Sequence, residues 1–273
     1  MRPGRENIAT PDLPEGMAWI GLEPESMPAL TAGGPALVHF IEFAQLNSVR
    51  TLPYVSEWAR RYREAGLSVI GVQSPRFPFG ADPAVVAPGL TVLDVEFPVA
   101  IDAEHDLWAA YGCGGWPSLF LWSLGGSLSW AHFGEGEYLE TEIAIQEELR
   151  EIDALRELPE PMAPLRPTDA PGARVMAPSP EVFPGGSWER PWVAGEDGEE
   201  LALEYAAGGS YVTVEGAGAI AIELDGEAAG TVAVANPALY PLVKHPRHEA
   251  HRINLRPTPG LRIWSISFAA GIP

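Results

Sequence analysis

Between residues 35 and 158 the chain alternates short apolar runs with amphipathic stretches. Residues 35–43, PALVHFIEF, form a nearly continuous apolar run, the pattern of a strand covered on both faces. Residues 48–65 place Leu52, Val55, Ala59 and Tyr62 at the spacing of one helix face. Ser48 is the expected N-cap of that helix, Gly66 its stop, and Pro53 a source of kinking. The runs at 67–73, 97–101 and 118–122 predict further strands, and 127–133 predicts one more, paired across the Gly125-Gly126 turn. Residues 138–158 predict the strongest helix, with Leu139, Ile143, Leu149, Ile152 and Leu155 near one face. Its charges suit the helix dipole: Glu137, Glu140 and Glu142 stand at the start, Arg150 and Arg156 toward the end.

The pattern changes at residue 159. Residues 159–180 contain seven prolines, a composition that favours an extended linker. Beyond it, short runs at 201–205, 211–215, 219–224, 231–235, 252–255 and 261–268 alternate with glycine turns. Strands at that spacing, with no helical stretch among them, predict an all-β sandwich or barrel.

Composition narrows the function classes. The 17 basic and 37 acidic residues give a formal net charge of −20, and Lys244 is the one lysine. Such a surface repels phosphate backbones, so neither nucleic acid nor an anionic membrane is an expected partner. A single cysteine, Cys113, allows no intrachain disulfide and no multi-cysteine metal site. The basic start Met1-Arg2-Pro3-Gly4-Arg5 is followed by no apolar h-region, and no window is long and apolar enough to span a membrane. The expectation is a soluble, cytoplasmic protein.

Several stretches occur in the order seen in the TlpA-like and DipZ-type thiol–disulfide oxidoreductases. They are Arg50-Thr51-Leu52-Pro53-Tyr54-Val55, Gly66-Leu67-Ser68-Val69-Ile70-Gly71-Val72, Phe97-Pro98-Val99-Ala100-Ile101-Asp102, Trp116-Pro117 and Phe133-Gly134-Glu135-Gly136-Glu137-Tyr138. Residues 35–149 thus resemble a thioredoxin fold, and the tail introduced by Ser179-Pro180-Glu181-Val182 resembles the domain that follows thioredoxin in DipZ-type proteins. The resemblance implies a thioredoxin-like α/β domain at 1–158, with an N-terminal extension and a central mixed sheet flanked by helices. The linker at 159–180 and an all-β sandwich domain at 181–273 complete the expected architecture.

The family works through a Cys-x-x-Cys pair, in which a helix N-terminus lowers the pKa of the attacking thiol and a second thiol resolves the mixed disulfide. In this chain those two positions fall on Gln45 and Ser48, neither of which can exchange disulfides. Ala44 stands where the family has tryptophan, and His39 stands at the buried-acid position. The proline that faces the cysteines, usually in a cis peptide, is retained as Pro117 after Trp116. The resemblance therefore implies a redox-inactive thioredoxin-fold protein with a protein- or ligand-binding role. A protein or peptide segment would lie along the groove edged by Gln45, Asn47, Ser48, Trp116 and Pro117.

Two alternatives carry different chemistry. Cys113, four residues before Pro117, could serve a monothiol oxidoreductase or antioxidant. The aromatics Trp188, Trp192, Tyr211, Tyr240 and Trp264 could serve carbohydrate binding by the β domain, or its core. His39 and Ser48 supply a base and a hydroxyl, but no orienting carboxylate or oxyanion hole can be placed beside them. His245, His248 and His251, with Glu249, form the one histidine cluster. Pro246 opposes a helix there, and a three-residue step on a strand alternates faces, so a polar loop is expected and no metal or cofactor.

Overall fold

The structure is a computed structural model that describes residues 1, 8–196 and 199–273; the basic stretch Arg2 to Arg5 lies outside the described residues. The chain divides into two compact units. One is Met1–Phe43 with Asn47–Ala163, and the other is Pro164–Pro273, with which Ala44–Leu46 group.

The first unit holds β1 (Ala18–Ile20), α1 (Met27–Ala32), β2 (Ala36–Ile41), α2 (Leu46–Tyr62), β3 (Ser68–Gln73), α3 (Pro83–Val92), β4 (Val99–Ile101), α4 (Asp106–Ala110), β5 (Ser118–Trp122), β6 (Leu128–Phe133) and α5 (Tyr138–Ile152). Its six strands run in the order β1-β4-β3-β2-β5-β6. β2, β3 and β4 are parallel, while β1, β5 and β6 join antiparallel to their neighbours. This mixed sheet with helices around it is the thioredoxin-like fold. Alternation along β2 sends Val38 and Phe40 into a core shared with Met27, Ile70, Val72, Leu107 and Phe120, and sends Leu37, His39 and Ile41 to the opposite face.

β2 to β6 fall where the apolar runs place them, whereas β1 lies outside those runs; the helices depart in detail. α2 begins at Leu46, so Ser48 is not its N-cap but a buried residue inside the first turn. Pro53 lies within α2, exposed, and does not end it. In α5 the expected apolar face is not the buried one: Ile143 is 40% exposed, and Leu155 lies beyond the helix end at 93%. Of that face Leu149 alone is fully buried, and Tyr138, Thr141, Glu142 and Ile145 turn inward with it. The reason is Glu142, a buried carboxylate that accepts from Tyr62 Oη at 2.6 Å, Arg61 Nη1 at 2.9 Å and Met162 N at 2.8 Å. With its charge so satisfied, the polar position can be the inner one.

The second unit is an antiparallel all-β domain. It comprises β7 (Trp192–Val193), β8 (Leu201–Glu215), β9 (Gly218–Leu224), β10 (Glu227–Val234), β11 (Ala238–Pro257) and β12 (Arg262–Ala269), in the order β10-β9-β11-β8-β12-β7. The runs 201–205 and 211–215, read separately in the sequence, are one 15-residue strand, and 252–255 is part of a 20-residue strand. The N-terminal part of β8 pairs with the C-terminal part of β11, whereas its C-terminal part pairs with β12 and the start of β11. Both long strands thus serve two layers, whose residues meet in one core containing Tyr205, Ile220, Ile253 and Leu255 with Val212, Val214, Ile266 and Phe268. At the corner the backbones approach closely. A Cβ on Gly208 would stand 2.6 Å from Ala270 O, and one on Gly271 would stand 2.9 Å from His248 N.

Residues 159–180 are not a free tether along their whole length. Pro159 O accepts from Gln146 Nε2 at 2.8 Å, and the break between units falls at Ala163/Pro164 rather than at 158. Farther on, Met176 N donates to Gly271 O and Ser179 N to Ala206 O, both at 2.8 Å, so the segment joins the β domain before residue 181. Proline removes donors but leaves carbonyls, and the intervening residues supply the N–H groups.

Candidate functional site

The C-terminal end of β2 leads through Glu42 and Phe43 into α2, and the register Phe40↔Ser118 brings Pro117 to the same end of the sheet. Asn47, Ser48, Trp116 and Pro117 therefore share one end of the first unit. Gln45 is the exception, grouped with the second unit.

Ser48, at the second cysteine position of the resembled motif, is fully buried. Its Oγ accepts from Glu42 N at 3.2 Å, while the Glu42 carboxylate accepts from Arg76 N at 2.6 Å. Phe43 N donates to Gln73 Oε1 at 2.9 Å. The turn into α2 is thus held by an alcohol, a carboxylate and an amide. His39 is fully buried, and neither ring nitrogen has a hydrogen-bond partner among the described residues. Burial pushes its pKa down to about 3, so it is a neutral imidazole. With no hydrogen bond between them, His39 and Ser48 do not make a base–nucleophile pair.

The Trp116-Pro117 peptide bond is cis, and Pro117 is buried. Pro117 O accepts from Gly134 N at 2.8 Å. Trp116 Nε1 donates to Ser74 O at 2.9 Å, and its ring lies 4.5 Å from that of Trp108. Ser74 Oγ donates at 2.8 Å to Asp102, whose carboxylate also accepts from the N–H groups of Leu107 and Trp108 at the start of α4. The loop is anchored to β3 and α4 by this chain of bonds.

Cys113 packs against the core beside Tyr111 and Leu107. Burial pushes its thiol pKa up to about 12; the Asp102 charge adds to the rise and a hydrogen bond with Ser118 opposes it. A thiol so placed is almost wholly protonated at neutral pH, the reverse of an activated nucleophile.

In the β domain, Trp264 is buried with Nε1 donating to Glu215 Oε2 at 3.1 Å, and Trp192 packs on the core. Tyr240 Oη accepts from Ala235 N and Asn236 N and donates to Asn236 O, tying its own turn. Trp188 is 45% exposed. The histidine cluster lies on β11 itself, not on a polar loop, and His245, Glu249 and His251 each bring a ligand atom within 4.8 Å of the others. The alternation argument separates His248 from the other two histidines, but His245, Glu249 and His251 lie at even steps, and the register shift between Lys244 and Glu249 draws them together.

The chain is 27% identical over 298 aligned positions to Protein DipZ of Mycobacterium bovis, covering 94% of this chain and 42% of that protein. It therefore spans less than half the length of this curated relative. It is 26% identical to NHL repeat-containing protein 2 of Homo sapiens, over 52% of this chain and 20% of that one. Among solved structures, a putative thiol:disulfide interchange protein DsbE from Chlorobium tepidum matches at TM-score 0.45 and 19% identity, covering 52% of this chain and 96% of that one. No family model matches. No helix among the described residues is long and apolar enough to cross a membrane.

Proposed function

We infer that the first unit is a thioredoxin-fold binding module that does not exchange disulfides, in a chain similar to DipZ. The observation that carries this reading is the engagement of Ser48: a buried hydroxyl that accepts the Glu42 N–H serves the turn, where a resolving thiol would serve chemistry. Cys113 supplies no substitute, since its thiol is held protonated by burial. That argues against a monothiol enzyme. The partner in this reading is an extended peptide or protein segment laid along Asn47, Trp116 and Pro117, where the anchored loop offers a rigid edge. A cytoplasmic location belongs to the same reading, because a chain with a single cysteine draws nothing from an oxidising compartment.

An array of extended peptides probed with the full chain and with Asn47→Arg tests it. Binding to a subset of peptides that the variant loses supports the module; equal binding by both proteins, or none by either, refutes it. The exposure of Trp188 favours carbohydrate binding by the β domain as a second reading. Glycan-array signals abolished by Trp188→Ala would support that function, and signals unaffected by the change would remove it.

A further inference from the structure

The two long strands of the β domain turn their corner with unequal lengths of chain. Between the pairs Lys244↔Gly209 and Glu249↔Ala207, β11 advances five residues while β8 advances two. The surplus turns His245 back over the strand, so that its ring stacks on that of His251 with centroids 4.1 Å apart and planes at 16°. Tyr205 supports both rings from the neighbouring strand, at 5.8 and 6.1 Å, and itself stacks on Phe268 at 4.8 Å. Three residues of opposite chemistry to the apolar core are thereby held at one point: His245, Glu249 and His251.

The hydrogen bonds prepare His251 as a ligand. Its Nδ1 donates to Asp225 Oδ2 at 2.7 Å, and the other Asp225 oxygen accepts from Arg252 N at 2.8 Å, which fixes the carboxylate. In the tautomer protonated on Nδ1 alone, the lone pair is on Nε2, which lies 3.4 Å from Glu249 Oε2. A carboxylate behind a histidine, orienting the ring and raising its basicity, is the recurrent second layer of metal sites. The separation also fits: ligands about 2.1 Å from a tetrahedral ion stand about 3.4 Å from one another. His245 Nε2 lies 2.8 Å from Tyr205 Oη. His248 takes no part; its backbone N–H is bonded to Ile272 O.

The geometry points to a site for one divalent transition-metal ion of the zinc class, with His245, Glu249 and His251 as ligands, Asp225 as positioning residue and a fourth position open to water. Two imidazoles and one carboxylate select zinc, cobalt, nickel or copper over magnesium and calcium, which take oxygen ligands. The site belongs to the β domain alone and does not depend on the binding role of the thioredoxin-like unit.

Titration of the chelator-treated full chain with Zn²⁺ by calorimetry, and with Co²⁺ by visible absorption, tests the site. The expected result is one equivalent bound, with the intense visible bands of tetrahedral cobalt. His245→Ala and His251→Ala abolish that binding, Asp225→Asn weakens it about tenfold, and His248→Gln leaves it unchanged. Should an alanine variant fail to fold, imidazole NMR of the wild-type chain decides: Zn²⁺ shifts the His245 and His251 ring signals and spares His248. No saturable binding, or binding that survives both alanine variants or perturbs His248 alone, overturns the proposal. It would leave His251 hydrogen-bonded between Asp225 and Glu249, a structural corner and nothing more.

Discussion

The Oγ of Ser48 accepts the backbone N–H of Glu42 at 3.2 Å, and both residues are fully buried. This bond closes the turn between β2 and α2 at the position that the resemblance assigns to the second cysteine. A thiol is a weak acceptor, so the alcohol is the better group for that structural task and useless for the chemical one. Ser48→Ala should destabilise the chain by about 1–3 kcal/mol, because it removes the acceptor of a buried N–H. Urea denaturation of variant and parent measures this, and an unchanged midpoint would show that the bond carries no weight.

Cys113 should react slowly. A pKa raised from 9.0 to about 12 lowers the thiolate fraction at pH 8 by about a thousandfold, since each unit is a factor of ten. Labelling with a maleimide in native buffer and in guanidinium should differ by orders of magnitude; equal rates would place the thiol in solvent.

Alkali should weaken the fold. The folded-state pKa values of Cys113, Tyr62 and Tyr111 are each raised to about 12, chiefly by burial. Between the ordinary values near 9 to 10 and that figure, the unfolded chain loses protons that the folded chain keeps. Stability is therefore full below pH 9 and falls as pH rises toward 12. Thermal melts across that range give the slope, and Cys113→Ser should reduce it.

His39 works in the opposite direction. Its pKa is depressed to about 3 in the folded chain, so between pH 6.5 and 3 the unfolded state binds a proton that the native state refuses. Stability present above pH 6.5 is lost as pH falls through that window. His39→Leu should flatten the acid limb of the melting curve and raise stability at pH 7 by about 1–2 kcal/mol, because two unpaired buried nitrogens disappear. A variant as acid-sensitive as the parent would assign the acid limb to other groups.

Glu142 should be intolerant of neutralisation. It joins Tyr62, Arg61 and the Met162 N–H, and Glu142→Leu strands all three partners. A loss of about 3 kcal/mol in chemical denaturation is expected for breaking such a buried network. A loss below about 1 kcal/mol, the range of an exposed pair, would contradict this account.

These residues also mark what the sequence could disclose. The runs 35–43, 67–73 and 118–122 were legible as strands because a sheet buried on both faces forces nearly unbroken apolar character. The buried face of α5 was not, since Glu142 turns inward only when Tyr62 and Arg61 come to meet it from another helix. Nor was the stacking of His245 on His251: their even spacing allows one face, but the register shift between Lys244 and Glu249 that brings the rings together is set by the paired strand. Short elements such as α1, α4 and β1 leave too few residues to show any period.

The central claim is that this thioredoxin-like fold carries no disulfide chemistry. The direct measurement is the reduction of insulin disulfides by dithiothreitol, with and without the purified chain, beside its Cys113→Ser variant. The account predicts rates at the uncatalysed baseline for both proteins. Catalysis by the parent that vanishes in Cys113→Ser would contradict it.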